Sequence, residues 1–113
     1  MVFMVVNVLR MEGPIPKPIN YRQYAGEIEE IRTFDAPDEV DSQLFDLNDA
    51  LASAGALEEG TTELAALQNS LICMHDVLEA YKQHGFTVPN RLTQIHKRLE
   101  QRRGELDPKG PNL

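Results

Sequence analysis

Residues with the right chemistry for a functional site fall in three places along the chain. The stretch ICMHDVLEAYKQHG, residues 72–85, holds the single cysteine, Cys73, with His75, Asp76 and His84 close by. A thiol, two imidazoles and a carboxylate are the groups of nucleophilic catalysis and of transition-metal binding. Carboxylates recur twice at three-residue spacing, Glu27 with Glu30 and Asp46 with Asp49. On a helix, that spacing puts both members of a pair on one face, and two such faces opposed would offer four hard oxygen ligands to Mg²⁺. In RLTQIH, Arg91 precedes His96 by five residues. The guanidinium suits a phosphate, and the imidazole titrates near neutral pH.

Helix geometry removes the first of these. Cys73 and His75 project about 200° apart on a continuous helix and cannot share one metal. Cys73 falls in a stripe of small residues, Asp76 points away from the apolar side, and His84 stands at the helix end, where a cation suits the dipole. Cys73 is therefore read as a small packing residue and His75 as its flank.

The other two resemble known families. The paired carboxylates at residues 27–49 resemble the all-α nucleotide pyrophosphohydrolases of the MazG kind, in which Glu-x-x-Glu and Glu-x-x-Asp pairs on paired helices hold the metal; here the second pair is Asp-x-x-Asp. This resemblance implies Mg²⁺ held by Glu27, Glu30, Asp46 and Asp49. The Arg91/His96 pair resembles the Arg-x4-His nuclease motif of HEPN domains, which are also helical. There, two protomers build a composite ribonuclease site, and Leu92 stands where those motifs usually carry a polar residue. This resemblance implies a phosphate-holding Arg91 and an acid/base His96. A stretch so rich in acids pairs carboxylates at this spacing by chance, and an Arg and a His five apart on a basic helix carry little information. Solvated helix faces are the simpler reading of both.

The elements that must position these groups follow from composition and periodicity. A chain of 113 residues with 42% apolar residues, 6% aromatic residues and no Trp fits one domain with an aliphatic core. One cysteine excludes an internal disulfide framework and fits a reducing compartment. No apolar run is long enough to span a bilayer, and the apolar start MVFMVVNVLR lacks the basic region and cleavage site of a signal peptide, so a soluble, cytoplasmic protein is expected. The net charge of −7 is unevenly distributed. Gln23 to Ala80 holds fourteen acidic residues and one basic residue, whereas Tyr81 to Leu113 holds seven basic and three acidic ones.

Along the chain, residues 1–19 read as an extended arm followed by the proline-rich connector GPIPKPI. A helical bundle domain is expected over residues 20–106 and a flexible tail over 107–113. The first helix is expected from Asn20, its cap, to Arg32, with Tyr21, Tyr24, Ile28 and Ile31 on one face. Asp35 is expected to cap a second helix, with Pro37 in its first turn and Val40, Leu44, Leu47, Leu51 and Ala54 as its stripe, ending at Gly55. The third, opened by Thr61 or Thr62, carries Leu64, Leu67, Leu71, Met74, Leu78 and Tyr81 as a continuous seam. Beside that seam run the small residues Ala66, Ser70, Cys73, Val77 and Ala80. Gly85 closes it, with Phe86 packing back onto Tyr81. A fourth helix over Pro89–Arg103 buries Leu92, Ile95 and Leu99.

The expected fold is thus all-α: an antiparallel up-down helical bundle of three to four helices with an extended N-terminal arm. The function these features favour is a small acidic protein-interaction or regulatory module that self-associates as a homo-oligomer, rather than an enzyme. Its surface is expected at Asp38, Asp41, Asp46, Asp49, Arg91, Arg98 and Arg102, facing a protein partner or a second copy. No cofactor is expected, apart from Mg²⁺ in the pyrophosphohydrolase alternative. Nucleic acid is disfavoured, because the chain is acidic overall and its basic patch has no aromatic residue for base stacking.

Overall fold

The computed structural model of the chain describes residues 19–57 and 62–107. Those residues are helical, with no strand among them, and four α-helices pack together: α1 Tyr21–Glu30, α2 Asp41–Gly55, α3 Glu63–Gln83 and α4 Asn90–Leu106. The expected arm and connector, up to residue 18, and the tail from residue 108 lie outside the described residues.

Local chemistry sets most of the helix ends. The side chain of Asn20 accepts a hydrogen bond from the backbone N–H of Gln23 at 3.1 Å, capping α1. Thr62 caps α3 in the same way through the Ala65 N–H. Gly85 ends α3 in the left-handed region, φ 75°. There the Phe86 N–H reaches the Tyr81 carbonyl at 2.9 Å and the Gly85 N–H that of Lys82 at 3.1 Å, the two bonds of a Schellman close. The Phe86 ring itself stacks beside His84.

The link between α1 and α2 departs from expectation. The chain does not stop at Arg32 but widens into one π-helical turn, Ile31–Asp35, closed by the Ala36 N–H on the Ile31 carbonyl at 2.8 Å. Ala36 precedes Pro37 and is driven to extended angles, φ −94° and ψ 142°, which breaks the helix at that point. Asp35 therefore sits inside the π turn and caps nothing. A 3-10 turn over Asp38–Val40 follows Pro37 and leads directly into α2.

The core is aliphatic, as the composition requires. Ile28, Ile31, Val40, Leu44, Leu47, Leu51, Leu67, Met74, Val77, Leu92 and Leu99 are fully buried, with Tyr81 and Ile95 nearly so. On α3 the buried arc falls between the two expected stripes. Leu67, Met74 and Tyr81 come inside from the large seam, and Ser70, Val77 and Ala80 from the small one. Leu64, Leu71 and Leu78 are left half-buried at one edge, and Ala66 and Cys73 at the other. Buried Ser70 satisfies its hydroxyl by donating to the Ala66 carbonyl one turn back, at 3.1 Å. Asn48 on α2 donates to the Ala25 carbonyl of α1 at 2.6 Å, fixing that pair of helices side by side.

Candidate interaction surface

Among the described residues, four arginines, Arg32, Arg91, Arg102 and Arg103, are engaged by the chain's own carboxylates. Arg91, at the start of α4, reaches Glu30 at 2.9 Å and Glu27 at 3.4 Å on α1. One half of the candidate metal set and one half of the candidate nuclease pair thus form a single ion-pair group. Those contacts raise the Arg91 guanidinium above its usual pKa, led by the hydrogen bond it donates to Glu30. His96 lies about 140° around α4 from Arg91 and meets Glu100 on its own helix at 3.5 Å.

At the other end of α4, Arg102 makes two parallel hydrogen bonds to Glu63, at 2.9 and 3.0 Å, and a third to Glu105 at 3.1 Å. The Tyr21 hydroxyl donates to the same Glu63 carboxylate at 2.6 Å. This clasp joins α1, α3 and α4 where Tyr21 is buried. The Arg102 guanidinium holds the Glu63 carboxyl below its usual value, and burial, followed by the bond to Glu63, pushes the Tyr21 phenol well above its own. Sequence alone flagged Arg102 but not Glu63 or Tyr21; their separation of 42 residues leaves no local pattern to find.

Arg32 does the same work in the π turn. It grips both carboxylate oxygens of Asp41 at 2.9 and 3.3 Å, reaches Glu29 at 3.0 Å, and lies with its guanidinium carbon 5.2 Å from the centre of the Phe45 ring. Arg103 is engaged by Glu100 at 2.9 Å. Arg98 is half-buried on α4.

Among the described residues, Asp46, Asp49, Asp76 and Asp38 have no ion pair of this kind. Asp46 and Asp49 are exposed on α2, and Asp76 is exposed on α3. All three act on the half-buried Cys73 thiol, which is raised above its usual pKa first by burial and then by these carboxylates. Asp38 is exposed on the 3-10 turn. Among the described residues no three His, Cys, Asp or Glu side chains gather closely enough to hold a metal ion. The fields of Asp46, Asp49 and Asp76 therefore overlap without their oxygens meeting at a point. Such an arrangement attracts cationic surfaces and makes the neighbouring thiol a poor nucleophile.

Elsewhere on α3, Leu71 and Ile72 line a shallow cleft of about 310 Å³ against α4, closed by Gln68, Glu100 and Arg103. Ile72 is 62% exposed there. Among the described residues no helix is long and apolar enough to cross a membrane. No known family model, curated protein or solved structure matches this chain.

Proposed function

We propose that the protein is a small regulatory interaction module of the cytoplasm that binds a protein partner through the acidic face of α2 and α3. The observation that carries this reading is the division of labour among the charges. Arg32, Arg91, Arg102 and Arg103 are matched by carboxylates of the same chain, while Asp46, Asp49 and Asp76 stay exposed on α2 and α3 with no cation in ion-pair reach among the described residues. Like charges held close destabilise a fold, so a face that keeps them is suited to a basic partner that relieves them.

Within this reading the four helices run up and down in antiparallel order. Supporting contacts occur at both ends: Arg91 at the start of α4 meets the end of α1, and Arg102 near its close meets the start of α3. Self-association uses the Leu71/Ile72 cleft, where apolar surface lies open between α3 and α4.

The test is affinity capture with paired baits, the wild-type chain and an Asp46→Asn/Asp49→Asn/Asp76→Asn variant, quantified by mass spectrometry. A protein retained by wild type and depleted at least tenfold on the variant supports the reading. A capture profile identical for both baits contradicts it. Sedimentation of Ile72→Glu beside wild type separates self-association from partner binding.

A further inference from the structure

All three phenylalanines among the described residues stay out of the core: Phe34 is 80% exposed, Phe45 52% and Phe86 37%. Phenylalanine is ordinarily among the most buried residue types, so its placement here is informative. Two of the three lie in the acidic segment between Glu27 and Asp49, and they are in different states. Phe45 is already covered on one face by the Arg32 guanidinium. Phe34 projects from the π-helical turn with its ring in solvent, and the carboxylates that follow it, Asp35, Asp38 and Glu39, are exposed. None of those three has a cation within ion-pair distance among the described residues, because the one arginine of the segment, Arg32, is held by Asp41 and Glu29. Single π-helical turns recur at functional sites because they present side chains that a regular helix would turn elsewhere.

We propose that Phe34 is the anchor on which the protein partner seats an arginine of a basic segment. The guanidinium lies over the exposed ring, and Asp35, Asp38 and Glu39 receive the flanking positive charge. The inference rests on the interaction-module reading and names the anchor and the partner's chemistry. Charge complementarity selects the occupant: the ring's negative face and three unmatched carboxylates favour a cation, and arginine stacks on aromatic faces and pairs with carboxylates at once. Arg32 over Phe45 is this chain's own instance of that pairing.

The experiment uses a phage-displayed random dodecapeptide library selected on the immobilised full chain. The selected peptide is then titrated by fluorescence polarisation against wild type, Phe34→Ala, Phe34→Trp and Asp46→Asn/Asp49→Asn/Asp76→Asn. The expected peptides are enriched in arginine. Binding weakens at least tenfold in Phe34→Ala, is kept in Phe34→Trp, and falls with rising salt. Because the ring is exposed, Phe34→Ala melts within a degree or two of wild type, and a melt of each variant establishes that loss of binding is not loss of fold. Selection of no peptide, selection without arginine enrichment, or equal affinity for Phe34→Ala overturns the proposal. If Phe34→Ala binds normally while the triple Asn variant does not, the acidic-face reading stands and the Phe34 anchor falls. If sedimentation shows a wild-type dimer that Phe34→Ala dissociates, the occupant is a second copy, and the partner proposal is overturned.

Discussion

Tyr21, Glu63 and Arg102 show how one carboxylate organises three helices. Tyr21→Phe removes only the hydroxyl that donates to Glu63 at 2.6 Å, and a hydrogen bond to a charged group contributes about 1.5–3 kcal/mol. Glu63 keeps Arg102, so the loss should lie near the lower figure, read as a shift in a urea denaturation midpoint. Glu63 also sets a pH dependence. Its carboxyl lies below the ordinary value near 4.5 in the folded chain, so the stability it contributes is fully present above that value. It disappears as pH falls through the lower folded pKa. Glu63→Gln should therefore flatten the acid limb of the stability–pH curve while leaving the neutral region parallel to wild type. Cys73 gives a third reading at this scale. Burial and the carboxylates of Asp46, Asp76 and Asp49 suppress its thiolate, so it should react with iodoacetamide at pH 8 more slowly than a free cysteine. Neutralising the three aspartates should accelerate that reaction; unchanged kinetics would mean that the carboxylates do not act on the thiol.

At the scale of elements, much was readable from local signals because their causes are local. The Asn20 cap, the Val40–Ala54 stripe, the stop at Gly55 and the close at Gly85 each depend on a few neighbouring residues. Gly85→Ala would force a Cβ into the left-handed region, costing about 1–2 kcal/mol, measurable as a lower thermal midpoint with no change in helix content. The π turn was not readable. Its extra residue answers to the extended angle that Pro37 imposes on Ala36 and to the grip of Arg32 on Asp41, not to any periodicity. The α3 seam was half readable: the three-and-four spacing is real, but the direction of α2 and α4 decides which edge of it is buried. Hence Leu67 is inside, whereas Leu71 lines the cleft. Of the candidate site, the charged residues themselves were legible and their pairing was not. That Arg91 would reach Glu27 and Glu30 across 64 and 61 positions is a property of the packed chain alone.

For the whole molecule, the uneven charge of the sequence becomes a spatial separation. The basic C-terminal third lends Arg91 and Arg102 to Glu27, Glu30 and Glu63 of the acidic middle, and among the described residues Asp46, Asp49 and Asp76 on α2 and α3, and Asp35, Asp38 and Glu39 at the π turn and after it, stay exposed without an ion pair. Relieving the repulsion with Asp46→Asn/Asp49→Asn/Asp76→Asn should raise the melting midpoint by roughly 2–4 °C at low ionic strength, as expected for about half a kcal/mol in a domain of this size. The gain should shrink as salt screens the charges. The same face could be confused with a divalent-metal centre, and one melt separates the two. The wild-type chain is unfolded thermally in millimolar Mg²⁺ and in millimolar Mn²⁺, each beside NaCl of matched ionic strength. A dispersed acidic docking surface predicts midpoints that follow ionic strength alone. A specific rise of several degrees, the mark of a ligand near a hundred times its dissociation constant, would contradict it and make the carboxylates a metal site.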